Sequence, residues 1–246
     1  MSPRNANADV CLCDWDGTLR KGFMFQTWIP FLAKALSLPD QRVSAFHTLF
    51  DDFKHHRISY ENLVDGVAIA YAELVAGASC ADVRSVARRF AERDQAVFPF
   101  VKSLVARLAA HGIDTIIVSG SPSDVLEAFA ESLGVRKVFA LRIICDDDGT
   151  YAARVQKNYG NYAEKLSCVM QLKERHAIKA AFGDSTADIP LLAVADARFI
   201  VRNASVEDPA LTELRGPPIR SLDPDNIDLD FIIGEISNSR NFADQI

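Results

Sequence analysis

Residues 8–18 read Ala-Asp-Val-Cys-Leu-Cys-Asp-Trp-Asp-Gly-Thr. The run from Ala8 to Cys13 is short and mostly apolar, and it ends abruptly in Asp14-Trp15-Asp16-Gly17-Thr18, the pattern of a buried strand running into a polar loop. Asp14 and Asp16 stand two apart, so at an extended strand end their side chains point the same way. What surrounds this strand decides the fold.

From about Phe23 to Arg93 only helical periodicity is found. Val43, Phe46, Phe50 and Phe53 recur at three-to-four spacing after the start signal Pro39-Asp40. Ser59 opens a further helix with Leu63, Val67, Tyr71 and Leu74 on one side and Gly77 as its stop, and Val83, Val86 and Phe90 mark another. Alternation then begins. Pro99 opens a helix closed by His111-Gly112, and the β-branched run Ile113 to Val118 ends at Ser119-Gly120-Ser121. Pro122 is expected in the first turn of the next helix, which Gly134 ends, and a short strand follows near Lys137 to Leu141. Ile143 to Cys145 and Tyr151 to Val155 flank the turn Asp146-Asp147-Asp148-Gly149-Thr150, a hairpin pattern without the spaced ligands of a calcium loop. Glu164 to Arg175 reads as helix, Ile178 to Phe182 as strand, Asp188 to Val194 as helix and Ala197 to Val201 as strand. The tail after Gly216 shows no pattern.

Strands alternating with helices imply a parallel sheet covered on both faces. The expected fold class is therefore α/β, with a doubly wound, Rossmann-like parallel-sheet core and an all-helical cap inserted after the first strand. Residues 9–22 and 94–246 are assigned to the core and residues 23–93 to the cap.

A chain of 246 residues, 49% hydrophobic and 24% charged, can bury a substantial core and is not a disordered segment. Lys plus Arg number 27 against 33 Asp plus Glu, a net charge of -6 with no basic run, which argues against nucleic acid as a partner. The same charge repels an anionic substrate at long range, so a phosphate site must create its own positive potential. Cys11, Cys13, Cys80, Cys145 and Cys168 are odd in number and form no CxxC pair, which favours a reducing compartment over a disulfide framework. No cleavable signal pattern opens the chain and no apolar span of membrane length occurs, so a cytoplasmic protein without a membrane partner is expected.

In doubly wound folds ligands sit beyond the carboxyl ends of the strands. Four groups fall there: Asp14 and Asp16, Ser119 and Gly120, Lys165, and Gly183-Asp184-Ser185 with Asp188. Carboxylates converging in a low-dielectric cleft repel one another unless a cation stands among them. The donors are hard oxygens with no His or Cys at matching positions, which selects Mg²⁺. Lys165, the Ser119 hydroxyl and the N–H groups at the start of the following helix would then bind a phosphoryl group. A carboxylate can act as nucleophile toward phosphorus, and a second one two residues on can serve as acid and base.

The four segments resemble the four motifs of the haloacid dehalogenase superfamily of phosphatases: Asp14-Trp15-Asp16-Gly17-Thr18, Ile116-Ile117-Val118-Ser119-Gly120, Lys165, and Gly183-Asp184-Ser185-Thr186-Ala187-Asp188. The resemblance implies Asp14 as nucleophile, Asp16 as general acid/base, and Ser119, Gly120 and Lys165 as phosphate ligands. It implies a magnesium shell of Asp14, Asp184 and Asp16, the last through its backbone carbonyl, with Thr18 and Asp188 in support. The helical insertion is similar to the cap of the phosphoserine phosphatase branch, and cap closure over the site is expected. That branch carries a Glu after its first motif and an Arg in its cap. Here the matching stretches are Arg20-Lys21-Gly22-Phe23 and Asp65-Gly66-Val67, so the resemblance does not extend to the amino-acid substrate.

The expected activity is magnesium-dependent hydrolysis of a small phosphorylated metabolite through an aspartyl-phosphate. Phosphotransfer to an alcohol, or a phospho-accepting signalling module of receiver type, are the alternatives. Phe23, Phe25, Trp28 and Tyr60 are candidates either for the pocket wall or for the cap's own core. Arg20 and Lys21 are candidates for reading an extra anionic group or for a solvated surface.

Overall fold

The computed structural model describes residues 8–202 and 214–243. A seven-stranded sheet runs in the order β4-β3-β2-β1-β5-β6-β7. Its strands are β1 Asp9–Cys13, β2 Ile113–Pro122, β3 Lys137–Cys145, β4 Tyr151–Lys157, β5 Ala177–Gly183, β6 Ala197–Val201 and β7 Ile219–Leu222. Neighbours are parallel except β3 and β4, which form the antiparallel hairpin at one edge.

Side chains of a strand alternate between faces, and β1 shows the consequence of burial on both. Cys11 and Cys13 join one apolar cluster with Leu104, Ile117 and Phe129, whereas Val10 and Leu12 join another with Ile116, Val169 and Leu191. The first cluster draws on α5 Val101–Ala110 and α6 Ser123–Leu133, the second on α7 Tyr162–Lys173 and α8 Ile189–Ala193. The C-terminal α9 is Leu229–Ala243. From β1 the chain moves outward to β2 and β3, then returns to β5 on the other side of β1. The carboxyl ends of β1 and β5 thus flank the switch point where such sheets open a crevice.

Four helices lie between β1 and α5: α1 Phe25–Leu36, α2 Asp40–Lys54, α3 Tyr60–Val75 and α4 Cys80–Arg93. Ser59 and Ser79 cap α3 and α4 through their hydroxyls, which accept from Asn62 N at 3.2 Å and Asp82 N at 3.3 Å. The chain enters and leaves this helical insert through paired backbone: Lys21 N donates to Ala96 O at 2.9 Å and Phe98 N to Leu19 O at 3.0 Å. Arg20 fastens the junction. Its guanidinium is 1% exposed and forks onto Asp94 at 2.8 and 3.0 Å, so it is a buried clasp and not a reader of substrate anions.

A second attachment lies at the far end. In the turn between α3 and α4, Gly77 N donates to Tyr151 O at 2.8 Å and Cys80 N to Gly149 O at 2.9 Å, laying the turn against the β3–β4 hairpin. Cys80 and Cys145 form a disulfide there, and Cys11, Cys13 and Cys168 are free and buried. The expectation of unpaired cysteines is corrected by this bond, and the cysteine argument for a reducing compartment falls with it. The partners are 65 residues apart and meet only because the turn docks on the hairpin. Among the described residues no helix is long and apolar enough to cross a membrane.

Other boundaries shift for local reasons. β2 continues through Ser119-Gly120-Ser121, so Pro122 sits in extended backbone (φ -62°, ψ 134°) as the cap before α6, outside its first turn. Lys137 to Cys145 is one strand, not two. The Asn161 side chain accepts from Glu164 N at 2.9 Å and starts α7 at Tyr162, two residues before the predicted start. Asp188 ends a 3₁₀ turn that precedes α8.

Candidate active site

The polar ends of β1, β2 and β5 meet the N-terminal part of α7 at a cavity of about 170 Å³. Asp14, Asp16, Ser119, Gly120, Lys165 and Asp184 all line it. Asp188 stands behind them, fully buried, and Thr18 is buried with no hydrogen-bond partner for its hydroxyl among the described residues.

Lys165 is the electrostatic centre. Its Nζ donates to Asp14 Oδ1 and Asp188 Oδ1, both at 2.6 Å, with 3% of the side chain exposed. The other oxygen of Asp188 accepts from the backbone N–H groups of Asp184 and Ser185 at 3.0 Å each and from Ser185 Oγ at 3.1 Å. One carboxylate thus fixes both the lysine and the turn that presents Asp184. Asp16 is held separately: Oδ1 accepts from Met24 N at 2.9 Å and Oδ2 from Ser121 Oγ at 2.7 Å. The Ser119 hydroxyl accepts from Ser121 N at 3.1 Å.

Two glycines are required by close approach. Gly17 has φ +83°, and a Cβ there would lie 2.1 Å from Asp184 Oδ2. A Cβ on Gly120 would lie 2.7 Å from the Cα of Gly160, so the end of β2 and the loop before α7 touch through bare backbone.

The charges are unbalanced. Burial lifts Asp14 to about 7, with Lys165 opposing the rise and Asp188 adding to it. Burial likewise lifts Asp16 to about 6, against its hydrogen bonds from Ser121 and Met24. Burial and then the neighbouring Asp14 and Asp188 push Asp184 up to about 9. For Asp188 burial is overcome by the charge and hydrogen bond of Lys165, which hold it below the usual carboxylate range. Burial works against the Lys165 ammonium, but Asp14 and Asp188 outweigh it and raise its pKa. One ammonium does not neutralise four carboxyl groups, and the protein's alternatives are protonation or a bound cation. Carboxylate oxygens of Asp14, Asp184 and Asp188 lie within 4.8 Å of one another, an all-oxygen set of the kind that suits Mg²⁺. The Asp16 side chain is outside this group, turned toward Met24 and Ser121.

Sequence reasoning assigned no role to Ser121, although its position two residues after Ser119 on an extended strand puts both on one side. Gly160 carries no local signal. Trp28 is corrected as a wall candidate: it is fully buried, stacks edge-on with Phe90 and donates to Tyr71 Oη at 3.3 Å. Phe23, Phe25 and Tyr60 do line the cavity.

The fold and site define a class: doubly wound α/β proteins with an acidic cluster and a buried lysine at the switch point. The chain belongs to the haloacid dehalogenase-like hydrolase family, whose model matches residues 11–193. Over 135 residues it is 30% identical to the protein CicA of Caulobacter vibrioides, an alignment covering 52% of this chain and 60% of CicA. A Bordetella pertussis Tohama I protein shares the fold with a TM-score of 0.66 at 20% identity, over 79% of this chain and 90% of that one. A probable phosphoserine phosphatase from Vibrio cholerae does so with a TM-score of 0.63 at 13% identity, over 98% of this chain and 68% of that one.

Proposed function

We propose that the protein is a magnesium-dependent phosphatase that hydrolyses a small phosphomonoester through an aspartyl-phosphate on Asp14. The observation that carries this reading is the placement of two neighbouring carboxylates in different hands. Asp14 is gripped by Lys165 at 2.6 Å, while Asp16 is turned away onto Ser121 and Met24. Two carboxyl groups with separate environments can take separate roles.

Asp14, Asp184 and the backbone carbonyl of Asp16 would hold Mg²⁺, which when bound neutralises charge on the phosphoryl oxygens. Lys165, the Ser119 hydroxyl and the backbone at Gly120 cradle the phosphoryl group. An Asp14 carboxylate oxygen attacks phosphorus, the ester P–O bond breaks, and Asp16 gives its proton to the departing alkoxide. Asp16 then takes a proton from water as that water attacks phosphorus, releasing inorganic phosphate and restoring Asp14. Asp188 is a positioning residue that keeps Lys165 aimed, and Thr18 supports the turn carrying Asp16 through its backbone N–H, which donates to Trp15 O at 3.3 Å. The helices of residues 23–93 act as a cap that excludes bulk water.

The test is phosphate release from a panel of phosphomonoesters with and without Mg²⁺. Asp14→Asn should abolish turnover. Asp16→Asn should slow it by roughly 10²–10⁴-fold and let a phosphoryl mass accumulate on Asp14. Near-normal turnover in either variant rejects the assigned roles.

A further inference from the structure

Opposite the phosphate-binding groups, the cavity wall is apolar. It is built by Phe23, Phe25, Phe50, Leu63, Val64 and Val67. With Tyr60, the last three occupy positions i, i+3, i+4 and i+7 of α3, so a single helix face supplies most of the wall. Phe23 and Phe50 close it from the side, their ring centroids 6.0 Å apart. Phe23, Phe50, Tyr60 and Val64 are only half-buried, so part of this surface is left for an occupant and is not consumed in the packing of the insert.

The wall also lacks charge. Lys165 is the sole cation among the lining residues, and both of its contacts go to Asp14 and Asp188. Of the basic groups on the insert and its junction, Arg20 is taken up by Asp94, Arg42 by the carbonyls of Leu74 and Ala76, and Arg57 by Asp51 and Asp52, while Lys21 is exposed beside Gly22 and does not line the cavity. A substrate carboxylate pressed against these rings would lose its water and find no cation, the Tyr60 hydroxyl being the wall's one polar group, which is unfavourable. An aryl or alkyl group would instead bury apolar surface on both sides.

We infer that the substrates are phosphomonoesters of apolar alcohols, and that the α3 face with Phe23 and Phe50 selects them against zwitterionic esters such as O-phosphoserine. This rests on the phosphatase reading above, whose residues supply the phosphoryl half of the same site.

Benzyl phosphate and O-phosphoserine are both esters of primary alcohols, so comparing their kcat/KM removes most of the leaving-group difference. Benzyl phosphate should be preferred by at least about a hundredfold, the scale on which a desolvated unpaired group discriminates. Calorimetric titration with benzylphosphonate and 2-amino-3-phosphonopropionate, which cannot be hydrolysed, should show the same order in affinity. Phe50→Leu, keeping the wall apolar, should preserve the ratio, and Phe50→Arg should lower it by about tenfold or more by giving the carboxylate a partner. Equal or better hydrolysis of O-phosphoserine overturns the inference while leaving the phosphatase reading in place, as does a ratio that Phe50→Arg does not move. Binding of benzylphosphonate in the expected order with no phosphate released from any ester supports the apolar wall and overturns the phosphatase reading.

Discussion

Replacing Lys165 by Met removes the one positive charge from a cluster of four buried or half-buried carboxyl groups while keeping the side chain's length and apolar stem. At 2.6 Å from each of Asp14 and Asp188, the ammonium gains roughly 6 kcal/mol from each pair at an effective dielectric of about 20. Burying the ammonium itself costs several kcal/mol, and that cost disappears with it, so the net loss for breaking such a buried cluster is about 3–5 kcal/mol. For a chain of this size that corresponds to a fall in Tm of about 6–20 °C. The loss depends on pH in a defined direction. Lys165 holds Asp188 below the usual carboxylate range, so the stability it contributes is present above the unfolded carboxylate pKa and is lost on acidification. Without the lysine, burial pushes the Asp188 pKa up against only its hydrogen bonds from Asp184 and Ser185, so the variant is penalised increasingly as pH rises. The gap between wild type and Lys165→Met, measured by urea unfolding in EDTA, should therefore widen from pH 5 to pH 8. The double variant Lys165→Met/Asp188→Asn should lose less than the two single losses added. A gap below about 1 kcal/mol, or one unchanged across that pH range, would refute the electrostatic account.

Gly17→Ala puts a methyl group where Asp184 Oδ2 now lies and forces a left-handed backbone on alanine. It should cost about 1–3 kcal/mol in unfolding free energy and abolish magnesium-dependent phosphate release, whereas Gly77→Ala, also at positive φ but with open space around it, should keep activity. Arg20→Met strands Asp94 in the junction between sheet and insert and should destabilise by about 3–5 kcal/mol in thermal or urea unfolding. Asp16, lifted to about 6 by burial, donates its proton only while it holds one. Asp14, lifted to about 7, attacks only as the carboxylate, so the rate for alkyl esters should peak between those two values and fall on either side, and a profile flat from pH 5 to 8 would remove Asp16 from the acid role.

The parts of the fold that could be read from sequence are those whose cause is local. Ile113 to Val118 is strand because β-branched residues fit a pleated, doubly buried surface, and Ala197–Val201 appears with the predicted bounds. The order of Asp14, Ser119, Lys165 and Asp184 along the chain was legible because each follows a strand or opens a helix, and doubly wound topology brings those places together. What escaped reading depends on contacts between distant segments. The Cys80–Cys145 bond needs the α3–α4 turn to find the hairpin, and the Arg20–Asp94 clasp joins residues 74 apart. Pro122 looked like a helix start because its φ suits one, but pairing with Leu141 of β3 keeps it in the sheet. β7 and α9 lie in a stretch whose composition gives no periodic signal.

The helical insert is pinned at two opposite places: by paired backbone around Arg20 and Val97, and by a sulfur bridge at the β3–β4 hairpin. Each anchor restrains the insert where it meets the sheet, one at the entry and exit strands and one at the hairpin. Of the insert's helices, α2 has the shallowest footing, with Phe46 as its one deeply seated side chain. Phe50 of that helix lines the cavity together with Phe23, so the least deeply anchored helix of the insert also carries part of the selecting surface.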